Sequence, residues 1–270
     1  MFRNQKEIKD YLLSNPLSLL PLLNASVQEV ALDILPYSTG FEIECNKKKE
    51  YDEVLFEKIP NIINVNVDSG EQRYRIPNGF NGLICLYLIT MQLARYSELN
   101  KGSGIHYHVD MSECYKLVDN YLNIEYNQEW VLNELATWDY KGSYNSKGIG
   151  YGTTWIRLQS VFKTAEFRIG EMTFDYKLLI QRISHCNSII KRIKEEVGSP
   201  PYEFKFEPIT IGQVKEYLVK YISIDLYQKT LELEQAEKQL KNFDMSIPKS
   251  QTPTNIDKIK EAMKTRKAQI

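Results

Sequence analysis

Gly104-Ile105-His106-Tyr107-His108-Val109-Asp110 alternates polar and apolar residues without a break, the period-2 pattern of a half-buried β-strand. Extended backbone points successive side chains to opposite faces, so His106, His108 and Asp110 share one face and Ile105, Tyr107 and Val109 share the other. A face made of two imidazoles and a carboxylate gains nothing from hydrophobic burial, so it must look toward solvent, a ligand or a metal. The same habit recurs in Phe41-Glu42-Ile43-Glu44-Cys45, in Glu71-Gln72-Arg73-Tyr74-Arg75-Ile76 and in Ala165-Glu166-Phe167-Arg168-Ile169. Four such strands predict an α+β fold: a sheet with one charged face and one apolar face, the apolar one covered by helices.

The flanking sequence supplies those helices. An apolar run from residue 80 to about 99 predicts the long helix behind the sheet, and residues 4–14 and 175–196 show apolar residues at helical spacing. Residues 17–35, interrupted by Pro21 and Asn24, read as a short helix or an extended connection, and residues 51–58 as a helix stopped before Pro60. Asp68-Ser69-Gly70 marks a turn between a strand over 62–67 and its partner over 71–76. A helical region over 112–140 carries a core stripe of Leu117, Leu122, Trp130, Leu132 and Leu135. Residues 141–152 hold four glycines and read as a mobile loop or lid. Trp155-Ile156-Arg157-Leu158-Gln159 alternates again and is expected to pair antiparallel with residues 162–169, which brings Arg157 toward the charged face. His185 falls inside a helix and reads as structural or exposed. Three segments follow: 1–208 as the domain carrying the site, 209–245 as a charged helical extension suited to an added layer or to contact between copies, and 246–270 as a linker with a short basic helix.

Composition narrows the partners. With 34 basic and 35 acidic residues among 270, the net charge of −1 gives no bulk attraction to nucleic acid or to an anionic membrane, so any phosphate binding must be local. Cys45, Cys85, Cys114 and Cys186 lie far apart with no Cys-x-x-Cys spacing, which excludes a zinc knuckle or a dithiol redox motif and suits a reducing compartment. Charged residues crowd the N-terminus where a signal peptide would be apolar, and the apolar run over 83–93 is too short to span a bilayer. The cytoplasm is the expected location. Abundant Lys, Asn, Ile and Tyr match an AT-rich genome, that of a low-GC bacterium or its phage.

Glu42-x-Glu44 puts two carboxylates on one strand face roughly 6 to 7 Å apart, a spacing that suits one or two hard divalent ions better than a shared proton. Carboxylates with histidine and no cysteine favour Mg or Mn. Glu166 beside Arg168 adds a metal carboxylate next to a permanent cation, the couple that phosphoryl transfer uses to neutralise spreading charge. Glu-x-Glu or Glu-x-Arg alone is the ordinary dress of a solvated sheet. Together with His-x-His-x-Asp they describe a metal site.

In order and type, Gly40-Phe41-Glu42-Ile43-Glu44, then Gly104 to Asp110, then Thr164-Ala165-Glu166-Phe167-Arg168 resemble the amidoligase family, a branch of the glutamine synthetase and glutamate-cysteine ligase superfamily. The resemblance implies a curved antiparallel sheet whose concave face holds Mg and ATP. It also implies a carboxylate substrate activated as an acyl phosphate and then attacked by an amine, here expected on a peptide or a cell-wall fragment. By motif, Glu42 and Glu44 resemble the first metal ligands, His106 or His108 the histidine ligand, Glu166 the later metal carboxylate, and Arg168 the arginine that stabilises the transferring phosphate. Glu71 stands where the family has a carboxylate on an intervening strand, although the residues after it depart from the family pattern, and Arg75 and Arg157 join Arg168 as candidates for nucleotide contact. Two other classes fit parts of the pattern. A metal-dependent hydrolase would use the His-x-His-x-Asp strand but needs more histidines than the three present, and a non-catalytic assembly or virion component would keep the fold and make contacts through its C-terminal helices.

Overall fold

Burial alternates residue by residue along Thr39–Glu44 (β1): Thr39, Phe41 and Ile43 are buried, and Gly40, Glu42 and Glu44 are half-buried on the opposite face. The structure, a computed structural model, describes residues 4–47, 63–65, 71–100, 103–137, 146–150, 154–168, 170–199 and 209–221. In chain order the elements before the histidine strand are α1 (Gln5–Ser14), a 3-10 segment (Pro16–Leu22), α2 (Ala25–Ile34), β1, β2 (Asn46–Lys47), β3 (Ile63–Val65), β4 (Glu71–Ile76), α3 (Gly79–Tyr96) and β5 (Ser97–Glu98). From there follow β6 (Ile105–Asp110), α4 (Tyr115–Leu122), α5 (Glu125–Ala136), β7 (Ser146–Ile149), β8 (Thr154–Gln159), β9 (Thr164–Phe167), α6 (Tyr176–Glu196) and α7 (Ile211–Tyr221).

The main sheet has the order β3-β4-β1-β6-β9-β8-β7, and β2 pairs with β5 as a separate ribbon. Its pairings are antiparallel except the parallel contact of β7 with β8, so the fold is α+β, as the alternation predicts, with a mainly antiparallel sheet. Phe41 and Ile43, Ile105, Tyr107 and Val109, Tyr74 and Ile76, and Ala165 and Phe167 form its apolar face, all buried. Helix α3 packs against β4 and α6 against β6, while α1 contacts α6 and α2 contacts α3 from outside. That placement explains why α3 is apolar nearly all round: it is covered by the sheet on one side and by α2 on the other. The layers are tied by the Tyr176 hydroxyl on α6, which donates to the Leu12 carbonyl on α1 at 2.9 Å.

Local chemistry sets the element ends. Asn4, Asn24 and Asp175 are N-caps whose side-chain oxygens accept from Glu7, Val27 and Leu178 amides. Asn24 thereby resolves residues 17–35 into a 3-10 segment and a true helix. The expected helical region over 112–140 holds two helices, because the side-chain amides of Asn127 and Gln128 donate to the Tyr121 and Leu122 carbonyls and stop α4 where α5 begins. Part of the expected loop over 141–152 is instead β7, an edge strand beside β8. Its glycine leaves too little apolar alternation for a pattern to reveal it. Helix α7 buries Val214, Tyr217 and Leu218; the Tyr217 hydroxyl donates to Gln92 of α3, and Asn81 accepts from the Ile209 amide at 3.2 Å. The expected helix over 51–58 and the expected helical, linker and basic segments beyond residue 221 lie outside the described residues. Among the described residues, no helix is long and apolar enough to cross a membrane.

Candidate metal centre

Antiparallel register assembles the site from residues far apart in sequence. Arg75 of β4 faces Gly40 of β1, Gly40 faces His108 of β6, His108 faces Glu166 of β9, and Glu166 faces Arg157 of β8, a single row across five strands. One step along, Arg73 faces Glu42 and Glu42 faces His106. Period-2 geometry puts all of these on the face opposite the core. Cross-strand neighbours on one face are within side-chain reach, so the two rows interlock.

Glu42, His108 and Glu166 offer ligand atoms that lie within 4.8 Å of one another, a group able to hold a metal ion. His106 Nδ1 sits between the acids, 3.2 Å from Glu42 Oε2 and 3.4 Å from Glu166 Oε1. Ionised carboxylates only accept, so this nitrogen carries a proton and bridges them. Glu166 is 1% exposed and fully engaged, taking Arg168 Nη1 at 2.9 Å on Oε1 and Gln159 Nε2 at 2.5 Å on Oε2.

His108 differs from His106. Its Nδ1 lies 3.3 Å from the Thr164 hydroxyl, whereas its Nε2 is buried without a hydrogen-bond partner, 3.5 Å from Glu42 Oε1. Without a metal, Nε2–H can donate to Glu42, which helps to hold that carboxyl ionised; with Nδ1–H donated to Thr164, Nε2 instead offers a lone pair beside the carboxylates. A buried nitrogen in that state is costly unless something binds it. The donor set therefore fits a divalent cation, with His108 rather than His106 as the imidazole ligand, and one neutral nitrogen with two carboxylate oxygens and no sulfur suits Mg or Mn.

The other expected site residues fall nearby but apart from this group. Glu44 lies one row further along and folds over Gly104, where an added Cβ would stand 2.9 Å from Glu44 Oε2. Glu71 is opposite Glu44 in register, and its side chain lies outside the described residues. Arg157 is the register neighbour of Glu166, while Arg75 pairs with Asp110 at 3.2 Å instead of reaching the acids. Three contributors escaped the sequence reading. Arg73, with Nε 2.9 Å from Glu42 Oε1, was detectable as the residue sharing a face with Arg75, but Gln159 and Thr164 carry no signal without the register.

Burial alone would raise the pKa of Glu42, yet His106 and His108 beside it and the charge of Arg73 outweigh that and hold it well below its ordinary value of 4.5. Glu42 is thus ionised and ready for a cation throughout the neutral and mildly acidic range. Because the folded pKa lies below the unfolded one, ionised Glu42 stabilises the fold above pH 4.5, and the contribution fades as pH falls below that toward the folded value. Without metal, Glu42→Gln is expected to lower stability by about 1–3 kcal/mol at pH 7, the range for hydrogen bonds to charged groups. Denaturant titrations in chelator from pH 7 down to pH 2 check this: the gap between wild type and variant should close below pH 4.5, and a gap that stays constant would contradict it.

A cavity of about 460 Å³ opens beside the centre, lined among others by Glu42, Arg73, Arg75, His108, Asp110 and Phe162. Gly40 forms part of its floor, and a Cβ there would lie only 3.2 Å from His108 Cβ. Set against known proteins, the chain matches no protein-family model and no curated protein.

Proposed function

We propose that the protein is an ATP- and Mg-dependent carboxylate-amine ligase, which joins an acid to an amine and releases ADP, phosphate and a proton. The observation that carries this reading is the gathering of Glu42, His108 and Glu166 around one point, with His108 Nε2 buried and guanidinium groups directly beside both acids. Glu42, His108 and Glu166 would hold a Mg or Mn ion, which would supply charge neutralisation for phosphate oxygens.

The chain's own residues account for the rest. Arg168, fixed by its 2.9 Å contact with Glu166, is oriented to meet negative charge as a phosphoryl group moves to the substrate carboxylate. Arg157 stands opposite Glu166 in register, on the neighbouring strand, and extends the positive surface along the phosphates. His106 holds the two acids in place through its Nδ1 proton, and Thr164, 3.3 Å from His108 Nδ1, is placed to accept a proton there when Nε2 serves as a ligand. The adjoining cavity gives the acid and the amine a place next to the phosphate.

Phosphate release from ATP in the presence of Mg, assayed with pools of acids, amino acids and short peptides, tests the reading. ADP and phosphate should form only when both an acid and an amine are present. Cleavage to AMP, or amide formation without ATP, would overturn it.

A further inference from the structure

The metal centre is flanked by arginines on both sides. Arg157 and Arg168 lie on the β8–β9 side, and Arg73 and Arg75 lie on β4. Strands β4 and β9 are separated by β1 and β6, so the two flanks are roughly 14 Å apart. A triphosphate set against Arg157 and Arg168 leaves Arg75 with no part in phosphoryl transfer, and Arg73, beside Glu42, at the edge of the centre. The cavity, however, is on the β4 side.

The β4 flank is built to hold its cation still. Arg75 Nε donates to Ser38 Oγ at 3.1 Å and Nη2 to Asp110 Oδ2 at 3.2 Å. Those partners are themselves fixed, Ser38 Oγ donating to the Ile76 carbonyl at 2.9 Å and Asp110 Oδ1 accepting from the Ser112 amide at 2.9 Å. Even so, 41% of the Arg75 side chain and 36% of that of Arg73 remain exposed, and both line the cavity. The cavity mouth carries Phe162, 64% exposed at the β8–β9 turn, where Lys163 adopts a left-handed φ of 55°. Oriented guanidinium groups, a bare glycine floor and an apolar rim together describe a ligand with an anionic end and a short apolar stem.

We infer that the β4 flank is a subsite for a second anionic group of the organic substrate, a carboxylate or a phosphate separate from the group that reacts. Arg75 grips that group, Arg73 adds charge between it and the metal centre, and Phe162 covers the stem. The inference rests on the ligase reading above for which group reacts, but the subsite itself binds without nucleotide.

Calorimetry on the full chain without ATP, using glutarate, 3-phosphonopropionate and butyrate as probes, tests it. One of the two doubly anionic probes should bind at least about 10-fold more tightly than butyrate, the worth of a charge-assisted hydrogen-bond pair, and the tighter one tells carboxylate from phosphate. Arg75→Gln should erase the preference, and Arg75→Lys should keep part of it because charge remains while the fork is lost. Equal binding of all three probes to the wild type overturns the subsite whether or not the variants fold. A preference that survives in both folded variants removes Arg75 from it. A clear preference in a protein that releases no phosphate from ATP would sustain the subsite and defeat the ligase reading.

Discussion

Glu166→Gln is expected to weaken Mn or Mg binding by at least about 100-fold, more than the 10- to 100-fold typical of losing a metal ligand's supporting partner. The substitution keeps shape. Its amide oxygen can face Arg168 Nη1 while its NH2 replaces Oε2 opposite Gln159, whose own amide turns over to present an acceptor. What disappears is one of two negative charges in a three-ligand centre, together with the counter-charge of Arg168, whose side chain is 21% exposed. Partial solvation of Arg168 limits the stability cost to about 1–3 kcal/mol, below the value for breaking a fully buried pair. Titration calorimetry and thermal melts on the same preparation separate the two effects. Metal affinity at the wild-type level in a folded Glu166→Gln protein would remove Glu166 from the centre. In the ligase reading, turnover falls by roughly three orders of magnitude or more alongside, since metal and arginine geometry fail together.

Much of this site is legible in the sequence, for a definite reason. A period of two is local, so Glu42 with Glu44, His106 with His108, and Glu166 with Arg168 can each be assigned to one strand face from the residues alone. Which histidine joins Glu42 and Glu166 cannot be assigned so, because His106 and His108 are equivalent by period. What separates them is register: His108 faces Glu166 and Gly40, and Thr164 takes its Nδ1, while His106 spends Nδ1 on the two acids. Register is set by turn geometry and by which face is buried, and neither is written in a single strand. The same gap hid Arg73 as the partner of Glu42. It also hid the pairing of Arg75, on a strand that sits on the side of β1 away from β9, with Asp110. Strand β7 was missed for a different cause, since Ser146-Lys147-Gly148-Ile149 at a sheet edge needs no apolar alternation to pair with β8.

The sheet's support should prove as sensitive as its face. Gly82→Ala in α3 is expected to destabilise the protein by about 3 kcal/mol or more, the upper range for overpacking. Helix propensity argues the other way, because alanine in place of glycine within a helix normally gains about 1 kcal/mol. Contact geometry decides between them. A Cβ at residue 82 would stand 2.0 Å from the Pro77 carbonyl oxygen and 2.5 Å from Leu35 Cδ2. The first of these is backbone, so no rotamer change relieves it, and either α3 or the segment after β4 must move. That segment follows Ile76, whose carbonyl accepts from Ser38, the residue that also orients Arg75. A shift there therefore reaches the cavity through two hydrogen bonds, and in the variant the binding preference for doubly anionic probes should fall together with the melting temperature. For a chain of this size the melt should drop by roughly 5 to 10 °C. A variant as stable as the wild type would mean that α3 does not approach Pro77 closely, and the packing of that helix behind β4 would have to be redrawn.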